Sequence, residues 1–306
     1  MKKFLFLCLL TVSVAGWAQT ERGVLIREAQ LYISPDDHSQ KLSTVPRGRE
    51  VAVMDKTRDY IKVLANVEQG RDITGWIVDK GVVRAGMPNG DRVLFGEAAE
   101  SELEASRRGG RKGADKDALR LYYRTYEYFP KSDLAGEALW RAADIQWQLQ
   151  KEDVMGRRSS REMEPYLRGK MEEDLMDEVR KKFAGTKWAA LASFAKIDNK
   201  ICGEWKGLPK CPEKESEMFE EYAKNHPDSP KAAEALFEAA TRQAALIEIY
   251  KANDDRGKSE QARARAIALG KRILAEYPQQ GDFPARSHAL VFKLEQGIPT
   301  YGAAKE

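Results

Sequence analysis

Two different spacings of hydrophobic residues divide the chain. Between Gly23 and about Gly86, apolar and polar positions alternate in short segments, which is typical of β-strands with one buried face. The clearest segment, YIKVLANV, places Ile61, Val63, Ala65 and Val67 on one face. From Ala114 onward, apolar residues recur at helical spacing, as in DALRLYYRTYEYF. The pattern predicts an α+β multidomain protein, with a small antiparallel sheet followed by an all-α region.

The predicted strands are short, and the turns PRG, KTRD and EQGRD separate them. The segment ITGWIV alternates Ile73, Gly75 and Ile77 with Thr74, Trp76 and Val78. A sheet of this size is stable only if it closes on itself or packs against another element. We therefore predict a compact β-barrel and assign it residues 19–88.

A short motif occurs twice in the helical region. FPKSDLAGEAL at 129–139 and HPDSPKAAEAL at 226–236 share a Pro, a Ser two residues later, and Ala five and eight residues after the Pro. The Pro ends one helix, the Ser caps the next, and the small Ala residues let the two helices approach closely. Ser132 is accordingly interpreted as structural rather than catalytic.

The motif predicts a stack of helix pairs over residues 114–298. Weaker copies of its turn lie at Phe183 and Tyr277, and in the last copy two extra residues precede Ala285 and His288, which take the Ala positions. The four predicted pairs are 115–129 with 132–151, 160–183 with 186–201, 213–226 with 229–252, and 258–277 with 284–296.

A change of composition marks residues 89–113 as a linker between the two regions. Within it, residues 97–108 can form a short helix with acidic residues first and basic residues last, the order that suits the helix dipole. The RRGGRKG segment at its end is either a contact for an anionic surface or a flexible solvated hinge. The basic run is short and rich in Gly, which favours the hinge.

The first residues have the order of a secretory signal peptide: two lysines, an apolar run over residues 4–15, then small residues. An uncleaved membrane anchor is the alternative, but about a dozen apolar residues are few for spanning a bilayer. Leu7, before Cys8, is not the small residue that a lipoprotein signal needs. We predict a signal peptide at 1–18 and an exported protein, periplasmic or associated with the cell envelope.

The charge and the cysteine content exclude several functional classes of protein. Without the two lysines of the signal peptide, 49 basic residues stand against 48 acidic ones, which argues against a nucleic-acid surface. Two cysteines then remain, Cys202 and Cys211, and export favours a disulfide between them. A redox-active pair would be closer in sequence, and a zinc site with His226 fails on ligand spacing. We expect neither a metal nor a cofactor.

Four blocks within 19–88, AQLYISP, PRGREVAV, YIKV and TGWIV, resemble the bacterial SH3 domain in sequence and order. The resemblance implies a small barrel that binds peptidoglycan stem peptides or protein partners. The candidate contacts are Tyr32, Tyr60 and Trp76, since aromatic faces suit sugars and peptides. We expect Tyr32 to lie in a surface loop, whereas packing in the barrel core is the favoured interpretation of Trp76.

The repeated turn resembles tetratricopeptide-like repeats of the bacterial envelope type over most of 114–296. The resemblance implies a curved array of helix pairs with a concave groove for peptides or proteins. Together the two resemblances predict a non-enzymatic exported scaffold or adaptor, whose partners are envelope proteins or peptidoglycan and not nucleic acid.

The alternative is a peptidoglycan-modifying enzyme, or the dedicated activator of a wall hydrolase. A cysteine peptidase would need Cys202 as its nucleophile, with a His close to it in space. A lytic transglycosylase would need a general-acid Glu, for which Glu215 before Ser216 is a superficial match. We expect Cys202 to be in a disulfide, and the Gly-rich segment that accompanies that Glu is missing. We therefore predict that the protein is not an enzyme.

Overall fold

A computed structural model of the chain describes residues 21–68 and 70–301. The predicted signal peptide at 1–18 lies outside these residues. The chain divides into two compact units, Met1–Gly90 and Asp91–Glu306, which we call the sheet unit and the helical unit. Each is described by itself below.

The described part of the sheet unit forms a single antiparallel sheet of seven strands. The strands are β1 (Arg22–Leu25), β2 (Ala29–Tyr32), β3 (Lys41–Val45), β4 (Glu50–Lys56), β5 (Tyr60–Glu68), β6 (Arg71–Val78) and β7 (Val82–Arg84). Their spatial order is β3-β2-β6-β5-β4-β1-β7, and the edge strands β3 and β7 are not paired with each other in the described residues. The predicted closure into a barrel is therefore not seen in the hydrogen-bonded ladder.

The sheet curls instead of closing. Its ladder carries a register shift in three places, between β2 and β3, β4 and β5, and β5 and β6. Such irregularities bend a strand and increase its twist. As a result β3 lies against β5, which is not its neighbour in the sheet. The curl lets one face of a small sheet bury its side chains without a closed ladder.

The buried face of the sheet is the predicted one. The core contains Leu25, Leu31, Val45, Val51, Ile61, Val63, Ala65, Val67, Ile77 and Val82. All four residues that YIKVLANV places on one face belong to it, which confirms that prediction. Gly75 lies on this inner side as well, and a Cβ there would stand 2.7 Å from Leu31 Cγ and 2.8 Å from the Tyr32 carbonyl oxygen. Only Gly lets β2 approach β6 this closely.

The described part of the helical unit contains nine α-helices. They are α1 (Gly90–Ser106), α2 (Ala114–Tyr128), α3 (Ala135–Met155), α4 (Asp174–Lys182), α5 (Lys187–Ala195), α6 (Lys210–Asn225), α7 (Ala232–Ala252), α8 (Arg256–Glu276) and α9 (Phe283–Glu295). Consecutive helices pack as α2 with α3, α4 with α5, α6 with α7, and α8 with α9. Within the described residues, no helix has both the length and the apolar character needed to cross a membrane.

The predicted helix over 160–183 is largely wrong. Only α4 forms there, preceded by an irregular stretch with two short 3-10 turns, Arg158–Arg161 and Pro165–Leu167. Pro165 removes a backbone donor and Gly169 weakens helix formation, so the stretch does not continue as a helix. The second helix of this pair is also shorter than predicted, since α5 ends at Ala195 and a 3-10 turn follows.

The four predicted turns share one backbone geometry. Their turn residues are Phe129, Phe183, His226 and Tyr277, with φ between −120° and −135° and ψ between 36° and 59°. In each, the backbone N–H donates to the carbonyl four residues earlier, and the carbonyl accepts from the N–H three residues later. The repetition inferred from two clear copies and two weak ones is therefore confirmed at the level of the turn.

Ser132 and Ser229 of the two clear copies are equivalent, but neither is the predicted N-cap. Leu134 and Lys231 precede α3 and α7, and within the described residues neither helix has a side-chain cap. Ser132 Oγ accepts from the Leu134 N–H and Ser229 Oγ accepts from the Lys231 N–H, both at 3.1 Å. Each hydroxyl thus satisfies a backbone donor just before the next helix. The Ala residues that follow, Ala135, Ala138, Ala232 and Ala235, are fully buried.

The fourth copy differs from the predicted alignment. Ala285 and His288 are exposed, and Ser287, Leu290, Val291 and Leu294 form the buried face of α9. The turn is not longer than the others: Gln280 N–H donates to the Tyr277 carbonyl, and α9 begins six residues after Tyr277, as α3 and α7 do after their turn residues. Phe283 therefore occupies the position that Ala holds in the clear copies.

The predicted linker is mostly a packed helix. Helix α1 covers residues 90–106 and buries Leu94 and Ala98. The ring of Phe95 meets Tyr122 of α2 edge-on at 5.2 Å, and Tyr122 Oη donates to Glu102 at 2.6 Å. The predicted helix at 97–108 therefore forms, but it begins earlier, at Gly90, and ends at Ser106. In the RRGGRKG segment after it, for which the sequence favours a solvated hinge, Arg111 pairs with Asp117 at 2.6 Å.

Candidate functional site

The three aromatic residues singled out in the sequence lie on one face of the sheet. Tyr32 of β2 is the direct partner of Trp76 of β6, and Trp76 in turn lies opposite Lys62 of β5. Residues directly opposite in an antiparallel pair point to the same side, as do residues two apart on a strand. Tyr60, two residues before Lys62, therefore shares that side. We call Tyr32, Tyr60 and Trp76 the aromatic face.

Two of these three aromatic residues lie in other surroundings than the sequence predicts. Tyr32 is the last residue of β2 rather than part of a loop, and it is 8% exposed rather than a surface residue. Trp76 is half-buried and points away from the core, because its neighbours Gly75 and Ile77 take the inner side. Alternation along β6 decides this: a residue between two inward residues must face outward. Tyr60 opens β5 as predicted and is half-buried.

An acidic loop lies beside the aromatic face. The loop between β2 and β3 is closed by the Ile33 N–H donating to the Gln40 carbonyl at 3.0 Å. Partial burial and then the Asp37 carboxylate raise the pKa of Tyr60, and a contact with the backbone of Asp37 lowers it. The carboxylates of this loop therefore lie near the Tyr60 phenol.

The tip of that loop gathers potential metal ligands. Asp36, Asp37 and His38 each place one ligand atom within 4.8 Å of the others, and all three are exposed. The His38 N–H donates to Asp36 Oδ1 at 2.9 Å, so the loop conformation itself brings the groups together. Exposed carboxylates gather in loops without binding a metal, and we assign no site to them.

The two cysteines lie at disulfide distance, as predicted, with Sγ atoms 2.15 Å apart. The loop they enclose is held by Glu215, which is 2% exposed. Glu215 Oε1 accepts from the Cys202 N–H at 2.9 Å and from Trp205 Nε1 at 3.2 Å, and Oε2 accepts from Arg242 Nε at 3.1 Å. Both residues considered as catalytic candidates, Cys202 and Glu215, are thus part of one structural connection.

A groove lies between helices α3, α5 and α7 of the helical unit, with a volume of about 450 Å³. It arises from helix length: α3 and α7 have 21 residues each and α5 has nine. Since a helix rises about 1.5 Å per residue, the short α5 leaves a recess between two long neighbours. We call this recess the α5 groove. Its walls and floor include Trp140 and Asp144 of α3, Leu191 and Phe194 of α5, and Glu234 and Glu238 of α7.

The three cations that line the α5 groove all have acidic partners. Lys151 Nζ lies 2.7 Å from Asp198, and Lys231 Nζ lies 2.6 Å from Glu234. Arg242 binds Glu215 at 3.1 Å. The charged side chains of the groove are therefore largely balanced within the protein.

Asp144 differs from these pairs. Within the described residues it has no ion-pair partner, and its carboxylate accepts one hydrogen bond, from Gln148 Nε2 at 3.3 Å. Burial raises the pKa of Asp144, and the Glu102 carboxylate raises it further, while Gln148, Lys231 and Arg141 lower it. Asp144 is thus a partly desolvated carboxylate with an incomplete set of partners.

The resemblance to helical repeats implies a concave groove, but it does not identify the residues of the α5 groove. The signal was present: Trp140, Asp144 and Trp147 recur at four- and three-residue spacing on one side of α3, which interrupts an apolar stripe with an acid. What it could not reveal is the recess, because that depends on α5 being short. No protein-family model matches the chain, and a search of curated proteins finds no match.

Proposed function

We propose that the protein is a non-enzymatic exported scaffold or adaptor of the bacterial cell envelope. In this proposal the sheet unit is an SH3-like domain that binds peptidoglycan or a protein, and the helical unit is a tetratricopeptide-like array that binds protein partners. The observation that carries the proposal is the aromatic face: Tyr32, Tyr60 and Trp76, far apart in sequence, share one outward side of the sheet.

The chemistry of the aromatic face fits a sugar or peptide ligand. Aromatic side chains offer an apolar face together with polar edges, which suits stacking against sugar rings and extended peptides. Lys62, opposite Trp76, and the carboxylates of the neighbouring loop add charges of both signs. A half-buried Trp on the outer side of a small sheet has no packing role in its core, so a binding role explains its position better.

The repeated helix pairs of the helical unit support the proposed scaffold function. Four turns with one geometry organise successive helix pairs, and the short α5 opens a groove among them. Arrays of this kind contact mainly their sequence neighbours and present extended surfaces to partners.

The enzymatic alternative has weaker support. Cys202 would have to act as a nucleophile, but its Sγ lies at disulfide distance from Cys211. Glu215 would have to act as a general acid, but it accepts hydrogen bonds from three donors and is 2% exposed. Both residues have structural roles that explain their positions.

The test is binding to the envelope with and without the aromatic face. Sedimentation with purified peptidoglycan and crosslinking in envelope extracts are compared for the full chain and for Tyr60→Ala with Trp76→Ala. Tyr166→Ala is the matched control, since Tyr166 is 71% exposed but lies in the helical unit. We expect the double variant to lose a peptidoglycan or protein contact that the control keeps, while both unfold at the wild-type temperature.

Two results would contradict the proposal. Unchanged binding of the double variant to both peptidoglycan and crosslinked proteins would remove the role of the aromatic face. Clearing of a peptidoglycan gel by the pure protein would replace the scaffold with an enzyme.

A further inference from the structure

We infer that the α5 groove binds a Lys or Arg side chain of an extended protein segment, with Asp144 as the receiving carboxylate and Trp140 and Phe194 beside it. The inference rests on the proposed function, in which the helical unit binds proteins, and specifies the chemistry of one contact. It follows from the shape of the groove, from its charge balance and from the nature of its walls.

The shape suits a long side chain with a piece of backbone. A volume of about 450 Å³ lies in the lower part of the range of small-ligand sites, roughly 300–1,000 Å³. The groove is lined mainly by residues of α3, α5 and α7, and it is partly open to solvent rather than a closed cavity. An extended segment can therefore lie along it and insert one side chain.

The charge balance identifies the sign of that side chain. Four carboxylates and three cations line the groove, and the cations are already paired with acidic groups of the protein. Asp144 is the carboxylate left with a single amide donor in the described residues. A charged group that loses water without gaining a partner costs free energy, and an incoming cation removes that cost. An acidic or purely apolar segment would leave it in place.

The walls favour an organic cation over a metal ion. Hard metal ions take six or more oxygen ligands, and the other carboxylates of the groove are already engaged by Lys151, Lys231 and Arg242, so Asp144 alone does not supply them. Aromatic rings attract Lys and Arg side chains through their π faces. The Phe194 ring already has the Lys231 ammonium 5.4 Å from its centroid. The groove thus combines a carboxylate for the charge with rings for the stem of the side chain.

The direct experiment is an NMR titration of the full chain with pentalysine. The indole N–H signals of Trp140 and Trp147 report on the groove, and Trp140→Phe identifies the first. We expect both signals to shift in a saturable manner with pentalysine and not with fully acetylated pentalysine or with pentaglutamate. Asp144→Asn is expected to weaken the binding roughly tenfold, since a charged hydrogen bond is lost.

The matched control is Asp153→Asn. Asp153 lies on the same helix and is exposed, so this substitution removes one negative charge without touching the groove. If Asp153→Asn weakens pentalysine binding as much as Asp144→Asn does, the attraction is general and the inference fails. It also fails if the Trp140 signal does not respond to pentalysine.

Thermal unfolding separates a binding role from a structural one. Asp144→Asn is expected to unfold at the wild-type temperature or above it, because the substitution removes a partly buried charge that has no ion-pair partner among the described residues. Asp198→Asn is expected to lower the unfolding temperature, because Asp198 accepts hydrogen bonds from Lys151 and Trp147. A marked loss of stability in Asp144→Asn would assign Asp144 a structural role and overturn the inference.

The inference and the proposed function can fail separately. If envelope proteins crosslink equally to the helical unit of the wild type and of Asp144→Asn, the proposed scaffold function holds and the inference about Asp144 fails. If pentalysine binds through Asp144 but the protein binds neither an envelope protein nor peptidoglycan, the inference about the groove holds and the proposed scaffold function fails.

Discussion

Glu215 and Arg242 form a nearly buried ion pair, with Glu215 Oε2 and Arg242 Nε 3.1 Å apart and the two side chains 2% and 14% exposed. The pair joins α6 to α7 within one helix pair. The second oxygen of Glu215 holds Cys202 and Trp205, so the same carboxylate also fixes the disulfide loop. The Arg242 guanidinium lies 4.8 Å from the centre of the Phe219 ring, which shields the pair from water.

Breaking this ion pair should lower the free energy of unfolding strongly. Arg242→Met leaves the Glu215 charge buried without its cation, which typically destabilises a protein by about 3–5 kcal/mol. The measurement is the free energy of unfolding from urea denaturation. Arg272→Met is the control, since Arg272 pairs with Glu276 on one exposed helix face and should contribute about 0.5 kcal/mol or less. Equal losses for the two variants would refute the structural role of the buried pair.

Removal of the disulfide should destabilise the helical unit moderately. Cys202 and Cys211 are nine residues apart, and closing so short a loop is worth about 2.7 kcal/mol in the chain-entropy picture. We expect Cys202→Ser with Cys211→Ser to lower the unfolding free energy by roughly that amount. Reduction of the wild type should reproduce the loss, and a reducing agent should leave the double variant unchanged.

The two equivalent serines should differ in their contributions. Ser229 is 3% exposed, and its Oγ also lies 2.6 Å from the Tyr222 hydroxyl, which Ser229→Ala would leave with one partner fewer. Ser132 is half-buried, and its Oγ donates to Asp91 at 2.6 Å. We expect Ser229→Ala to cost about 1.5–3 kcal/mol and Ser132→Ala about 1 kcal/mol. Urea denaturation of both single variants measures the two losses of unfolding free energy. A larger loss for Ser132→Ala than for Ser229→Ala would contradict this account of the turn.

Replacement of Gly by Ala should have opposite effects on stability at Gly75 and at Gly96. Gly75→Ala forces a Cβ to within 2.8 Å of Leu31 and the Tyr32 carbonyl, which should destabilise the sheet unit by about 1–3 kcal/mol. Gly96 lies inside α1, and a Cβ there meets no atom of the described chain within 4 Å. Gly96→Ala should therefore stabilise the helical unit by about 0.5–1 kcal/mol. Thermal unfolding of each variant tests both signs.

Acidification should destabilise the protein partly through His226. Burial, and then the charge of Arg180, lower the pKa of His226 below its ordinary value near 6.5. The folded state then binds fewer protons than the unfolded chain, so this contribution is complete above about pH 6.5 and is lost as the pH falls through the lowered pKa. We expect His226→Gln to reduce the difference in unfolding free energy between pH 7.5 and pH 5. An unchanged pH dependence of stability in His226→Gln would contradict this account of the imidazole.

Local patterns predicted most elements because their signals are local. The alternation in YIKVLANV fixed the inner face of β5, and the Pro and Ser of the two clear turns marked where helices end and begin. The errors arose where the local signal was weak. The stretch before α4 has apolar residues at helical spacing but also Pro165 and Gly169. The fourth turn has Gln280 at the position that Ser or Thr holds in the other three copies.

Local sequence patterns were enough to predict the two regions, the repeated turn and the pairing of Cys202 with Cys211, since each depends on residues close together in the chain. Tertiary structure alone decided that Tyr32, Tyr60 and Trp76 share one face, because this depends on the register between β2, β6 and β5. It also decided that the sheet curls without closing, and that a short helix between two long ones leaves a recess beside Asp144. Register and relative helix length act between segments distant in sequence, and no spacing along the chain encodes them.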